Sequence, residues 1–218
     1  MIQDLNFILT WWLVIFLISL SSLPIIFFLF KKFADRGYIF SKIFSLSLLT
    51  YLIFVLSSFK LFTFSSASLL VLILLIIFAN LLFLNRFSST SQFVATIKKI
   101  KPLIFLEEGL FLLVLVAWSY VRGFASNIEG LEKFMDWGFV NSALRSTYLP
   151  PADMWFAGSS INYYYFGHLI FALLTKLSNI SSAITYNLSI ATVAALTFAS
   201  AFSLSLNLTK KKIVIALL

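Results

Sequence analysis

The sequence predicts an all-α protein, a polytopic transmembrane helical bundle of about six spans with the start of a seventh. Of its 218 residues 61% are hydrophobic and 11% charged, with a mean hydropathy of +1.02. Apolar runs recur at close to the ~20 residues that a helix needs to cross a bilayer. The polar filler within them is mostly Ser, Thr and Asn, which helices in lipid tolerate. There is no cysteine, which removes disulfides, thiolate chemistry and zinc–thiolate sites together. In a soluble protein a net charge of +8 would suggest a nucleic-acid partner. Here the basic residues cluster beside apolar runs, so they read as orientation signals and no nucleic-acid partner is expected.

The spans follow in order. The first covers 7–30, with Pro24 expected to kink the helix without ending it. It is too long for a cleavable signal and has no basic region before it. A basic loop at 31–37 leads to a second span at 38–57, and a tight turn near Lys60 to a third at 61–84. A second basic loop, 85–102, carries Arg86, Lys98, Lys99 and Lys101. The remaining spans are read at 103–121, 161–177 and 184–207. After them Lys210, Lys211 and Lys212 precede a fresh apolar run, which reads as the start of a seventh span in a longer protein. This divides the chain into a three-span segment, 1–102, and the start of a second unit, 103–218.

Orientation rests on the basic loops. Those at 31–37 and 85–102 are expected in the cytoplasm, with Asp4 outside and the loop 122–160 extracytoplasmic. The cluster at 210–212 falls on the wrong side of this scheme, and the earlier loops outweigh it.

Chemistry concentrates between Arg122 and His168, the one histidine of the chain. Glu129, Glu132 and Asp136 are spaced i, i+3, i+7, which on a helix shares one face. Such a face suits a general base or a divalent cation; as a solvated acidic face it would have Lys133 and Arg145 as counter-ions. Asn162, Tyr163, Tyr164, Tyr165 and His168 open the fifth span. The tyrosines suit a membrane interface, while His168, one turn inside, needs a loop carboxylate or a phosphate as partner. Pro150 and Pro151 end the helix expected over 138–147 and return the chain to the bilayer. Glu107 and Glu108, near the start of the fourth span, are expected to snorkel or to meet a basic partner elsewhere.

The stretch from Glu129 to His168 closely resembles the signature of the YYY-motif membrane proteins, a family of unknown function. Tyr163-Tyr164-Tyr165 followed by Phe166-Gly167-His168 is the specific part, and Glu132-Lys133 before Met135-Asp136 the second. That family usually has a proline where Phe134 stands, a departure that would loosen the turn before Asp136. The family in turn resembles the GT-C glycosyltransferases, as do the protein O-mannosyltransferases and lipid A aminoarabinose transferases. These carry a catalytic acid in the first long extracytoplasmic loop, then an interfacial helix, a proline turn and an aromatic re-entry. The resemblance implies a GT-C-like fold with Asp136 at the acidic position and 141–147 as the helix. It implies an integral membrane glycosyltransferase taking sugar from a polyprenyl-phosphate donor, with membrane lipid and the later spans as further partners.

Under that reading Asp136, Glu132 and Glu129 are the catalytic candidates. Arg122, Lys133, Arg145 and His168, with Asn162 and the three tyrosines, are the candidates for holding the lipid phosphate. The competing readings are a multi-span transporter or flippase and a non-catalytic assembly subunit. A transporter is expected to place charges or broken helices at the bilayer midplane, and these spans show almost none. The orientation is directly testable. In intact cells a membrane-impermeant reagent is expected to reach a tag near Ser146 and to spare Lys99; labelling of Lys99 from outside would reverse the scheme.

Overall fold

The computed structural model describes residues 2–87, 89–130, 132–209 and 213, and among them the secondary structure is helical, with a single isolated β-bridge. The elements are α1 (Ile2–Leu20), α2 (Leu23–Leu29), α3 (Phe40–Ser58), α4 (Ser66–Phe87), α5 (Thr90–Gly123), α6 (Lys133–Arg145), α7 (Phe166–Ser178) and α8 (Ser182–Leu208). By length and composition α3, α4 and α8 are long and apolar enough to cross a membrane, and the bent pair α1–α2 makes a fourth if counted as one span. The six spans expected from hydropathy are not all of this kind. The expected start of a seventh span, with Lys210 to Lys212, lies outside the described residues.

Several boundaries differ for physical reasons. The first span does not merely kink: it breaks at Ser21–Ser22, and α2 leaves α1 at 64°. Pro24, in the first turn of α2, cannot donate to the carbonyl one turn back and would collide with it. The Ser19 and Ser21 hydroxyls donate instead to the Phe16 and Ile18 carbonyls. Most of the loop expected at 85–102 is helix, because α5 starts at Thr90 and runs through Pro102. Ser89 caps it by accepting from the Gln92 amide at 3.2 Å. The expected fifth span shrinks to the 13 residues of α7, roughly 20 Å long and short of a ~30 Å hydrocarbon core.

Helices α5 and α8 pack along one another, α1 lies on α3, and α7 touches α1, α3, α4 and α8. Fully buried Ala191, Ala195 and Ala199, one turn apart on α8, let a neighbour approach closely. Much of the polar filler bonds within its own helix: Thr50, Thr175, Ser189 and Thr192 each donate to the carbonyl four residues earlier. Trp11 Nε1 also donates to Thr192 Oγ1 at 2.8 Å, joining α1 to α8.

The charges inside the bundle overturn the expectation of bare spans. Glu108 accepts from Trp12 Nε1 of α1 at 2.6 Å and from the Tyr38 hydroxyl, just before α3, at 2.8 Å. Lys42 Nζ of α3 lies 3.0 Å from both of its carboxylate oxygens. Lys42 is fully buried and faces the Phe111 ring at 4.9 Å, a cation–π contact that helps to replace lost water. The basic partner expected for Glu108 is therefore in this chain.

Asp35, expected in a solvated basic loop, is also fully buried. It accepts from Ser203 Oγ at 2.6 Å and Asn207 Nδ2 at 3.2 Å, pinning the 31–37 turn to the end of α8. Gly37, at φ +69°, admits no side chain there because a Cβ would meet Phe30. Glu107, also fully buried, lies beside Asp35 and the Ile39 backbone.

Removing one member of a buried ion pair strands the other, at a cost of about 3–5 kcal/mol. Lys42→Ala is therefore expected to lower the thermal midpoint of the detergent-solubilised protein sharply. Lys42→Met combined with Glu108→Leu is expected to recover most of the loss. A midpoint unchanged by Lys42→Ala would show that the pair does not hold the helices.

Candidate functional site

Helix α6 is placed by its own apolar stripe. Phe139, Val140 and Ala143 are buried, and with Asp136 they stand at i, i+3, i+4 and i+7, one face of a helix. That face packs on α7 and carries the Asp136 carboxylate to it. His168, in the first turn of α7, lies with Nε2 at 3.1 Å from Asp136 Oδ1. An ionised carboxylate only accepts, so Nε2 donates. The Phe139 ring stands edge-on to the imidazole, centroids 5.4 Å apart. The side chains are about a quarter and a sixth exposed, 28% for Asp136 and 17% for His168. His168 Nδ1 is enclosed and without a partner among the described residues. Asp136 Oδ2 makes no hydrogen bond among the described residues. Of the two partners expected for His168, the structure brings the loop carboxylate.

The three acids do not form one face. Gly130, at φ +75°, turns the chain before the helix, so Glu129 stands apart on the preceding segment. Glu132 caps α6, with its carbonyl accepting from the Asp136 amide at 2.9 Å, and its side chain is exposed. Phe134 sits inside the first turn of α6, so that turn is not loosened. Among the described residues no three of His, Cys, Asp and Glu gather as ligands of a metal ion would. Lys133 Nζ reaches the Asn127 carbonyl at 3.4 Å. Arg145 is exposed at the other end of α6, roughly 14 Å from Asp136 along the axis. Neither forms the expected ion pair with the acidic residues among those described.

The return segment is a compact support rather than a flexible loop. The Ile161 amide donates to Pro151 at 3.0 Å and the Asp153 amide to Ser159 at 2.8 Å, and the Ser142 hydroxyl holds the Ala152 carbonyl. Asp153 is a turn cap, accepting at Oδ1 from the Trp155 and Phe156 amides at 2.8 and 2.9 Å. Those donors hold its carboxyl below the usual carboxylate range. Met154 fills the gap opposite Gly138, where a Cβ would overlap it. Lys176 of α7 donates to the Leu144 carbonyl at 2.9 Å, closing the far end of α6.

The tyrosine run divides its work. Tyr165 is partly buried against Phe54, ring centroids 6.4 Å apart, and precedes α7. Tyr163 and Tyr164 are exposed, with rings 4.0 Å apart, and Tyr163 also meets Phe139 at 5.9 Å. A hydrogen bond with Tyr163, then burial and nearby negative charge including Glu132 and Asp136, pushes the Tyr164 hydroxyl up to about 12. Asn162 is exposed and makes no side-chain hydrogen bond among the described residues.

Arg122 ends α5 on the wall of a cavity of about 730 Å³ that also takes in Trp137 of α6 and Asn187 of α8. Its Nη2 and Nε donate to Asn187 Oδ1 at 2.7 and 3.2 Å, and Asn187 Nδ2 donates to the Ser126 carbonyl at 3.1 Å. Tyr186, beside Asn187 on α8, feels the charges of both Asp136 and Arg122. Sequence reading missed Tyr186 and Asn187. The signal for Asn187 was an amide within the first turns of an apolar span.

A family model described as an uncharacterized membrane protein matches residues 48–218. The chain belongs to the DUF2298 family. No curated protein and no solved structure matches it. The DUF2298 match takes in Arg122, Asp136, His168 and Asn187, while Trp12, Tyr38 and Lys42, which hold Glu108, lie before it.

Asp153 carries a pH prediction. Its folded value is lowered, so the turn is stabilised above the ordinary aspartate value of about 3.9 and loses that support as pH falls through the folded value. Amide exchange at Trp155 and Phe156 is expected to be slow at pH 6 and to rise, relative to its intrinsic rate, below pH 4. Asp153→Ala should give the fast behaviour at every pH. Equal protection in both proteins at pH 6 would refute the cap.

Proposed function

We propose that this DUF2298 protein is a cell-membrane glycosyltransferase, moving a sugar from a polyprenyl-phosphate donor to an acceptor at the extracytoplasmic face. On this reading α5 and α7 join the other spans in a GT-C-like bundle, with α7 as a short re-entering element. The chain from Arg122 to the start of α7 faces outward, and the later part of the protein completes the bundle. The observation that carries the proposal is the pairing of His168 with Asp136, one residue before Trp137, which shares a cavity wall with Arg122.

The arrangement supports one direction of proton flow. His168 is the more enclosed partner and its free nitrogen has no outlet, so it positions Asp136 and keeps the carboxylate oriented. Asp136 Oδ2 is left to accept the proton of an acceptor hydroxyl. The acceptor oxygen then attacks the anomeric carbon, the bond from that carbon to the phosphate oxygen breaks, and the lipid phosphate leaves with the electron pair. Arg122, held in place by Asn187, supplies charge-assisted hydrogen bonds to that phosphate. Glu132 and the Tyr163–Tyr164 pair border the acceptor side. Lys133, Arg145 and Asn162 have weaker claims, standing exposed or turned to other partners.

A transporter remains the second reading because of one observation. Lys42, Glu107 and Glu108 are buried among helices, and ionisable groups inside a bundle often mark an ion path. The closed knot around Glu108 favours a structural role for that pair. It leaves Glu107 as the residue on which the transporter reading stands.

Loss of a positioned base costs ~100- to 10,000-fold in rate. Asp136→Asn is expected to fall in that range in the full-length protein without lowering its amount in the membrane. Glu129→Gln should do least and Glu132→Gln fall between. The assay is transfer from a labelled polyprenyl-phosphate sugar. Near-normal turnover by Asp136→Asn would remove Asp136 from the role, and equal tolerance at all three acids would remove the enzyme reading.

A further inference from the structure

The cavity beside Arg122 does not end at its polar wall. It shares Asp4, Ile8, Ser119 and Gly123 with a second cavity of about 490 Å³ that runs between α1 and the last turns of α5. The second is lined by Leu5, Ile8, Val116, Tyr120 and Phe124, of which Leu5, Tyr120 and Phe124 are well exposed. Helices α1 and α5 touch far less than α1 and α3 do, so the pair leaves a cleft. Both volumes lie within the ~300–1,000 Å³ typical of ligand sites.

The polar end asks for oxygen. A guanidinium has five N–H donors, and Asn187 takes only those at Nε and Nη2 of Arg122. Trp137 Nε1 is buried on the same wall with no acceptor among the described residues. A buried indole N–H without an acceptor is costly and can only donate. Two carboxylates, Asp4 and Glu129, line the cavity as well. Carboxylates repel phosphate but accept hydroxyl protons, so a sugar phosphate suits this wall better than a bare phosphate.

We infer that the cavity and cleft form one site for a lipid-linked sugar phosphate, with phosphate oxygens on Arg122 and Trp137 Nε1, sugar hydroxyls toward Glu129, and the hydrocarbon chain between α1 and α5. The inference rests on the glycosyltransferase reading for its ligand class but assigns a tail path and a headgroup donor that the reading does not contain. Trp137 is a binding residue here; it follows Asp136 on α6, whose carboxylate turns to His168 of α7. The apolar cleft alone would carry no ligand; its continuity with an anion-seeking, hydroxyl-accepting wall selects the amphiphile.

The test uses the full-length protein in vesicles and a photoreactive polyprenyl-phosphate hexose. Crosslinks are expected at residues 5–8 of α1 and 116–124 of α5. Val116→Trp, which fills the cleft, should cut labelling at least tenfold, and Trp137→Phe should weaken it several-fold at unchanged thermal midpoint. Tyr120→Glu changes an exposed position, so it should cut labelling without unfolding the protein. Labelling that maps elsewhere, or that survives both Val116→Trp and Tyr120→Glu, would overturn the site. So would a cleft that excludes the probe because another helix of the protein covers it. Equal competition by phosphatidic acid would overturn the sugar specificity. Labelling does not require turnover: crosslinks in the cleft with no transfer from any donor would sink the reaction alone, and transfer with crosslinks elsewhere would sink this site alone.

Discussion

A carboxylate carried into a helix bundle must find donors or destabilise the fold, and Glu108 finds three. Its partners come from α1, from the approach to α3 and from α3 itself, so one side chain of α5 fixes three segments at once. Lys42 is the costly member, because an ammonium loses more on burial than one carboxylate returns. Aromatic faces supply part of the difference, with Phe111 at 4.9 Å, Phe16 at 5.5 Å and Tyr38 at 5.8 Å from Nζ. The knot holds α5 against α1 near the middle of the bundle. Toward the far end of α5 the two helices are free to part, and the cleft beside Arg122 opens there. Cohesion in one place and separation in another belong to the same pair of helices.

Much of the fold could be read from hydropathy because apolar length is the quantity a bilayer selects. The spans expected at 38–57 and 184–207 coincide closely with α3 and α8, whose ends are set by where apolar residues stop. What failed was read from single residues. Pro24 reads as a kink, yet the chain breaks fully before it, with the Ser19 and Ser21 hydroxyls bonding carbonyls of the last turn of α1. Positive charge at 85–102 was weighed as loop, yet Lys, Ile and Ala are good or tolerable helix formers, and Ser89 supplies the cap. Charge says which side of a membrane a segment prefers and little about whether it is helical.

The site was legible in its residues and not in its geometry. Asp136 and His168 both stood out, but their pairing crosses 32 positions of sequence and depends on how the intervening turn closes. The stripe of Phe139, Val140 and Ala143 held the missing information: it fixes which face of α6 meets α7, and Asp136 lies on that face. Glu129 and Glu132 matched the same spacing on paper. Gly130 at positive φ removed one from the helix, and the position of the other at the cap left it to solvent. Asn187 carries only the faint signal of an amide early in an apolar span, and nothing in its neighbourhood distinguishes a guanidinium holder from an ordinary polar residue in a membrane helix.

The same logic separates the two groups of acids. Glu108 has every reason to be structural, since its oxygens are bonded and its partners Tyr38 and Lys42 are themselves buried. Asp136 has one oxygen held by His168 and one without a hydrogen bond among the described residues. A residue that serves only packing would be expected to satisfy both oxygens from within the fold, as Asp35 does with Ser203 and Asn207. Among the described residues the second oxygen of Asp136 has no donor. On the proposed reading that oxygen is the one that takes the proton of an acceptor hydroxyl.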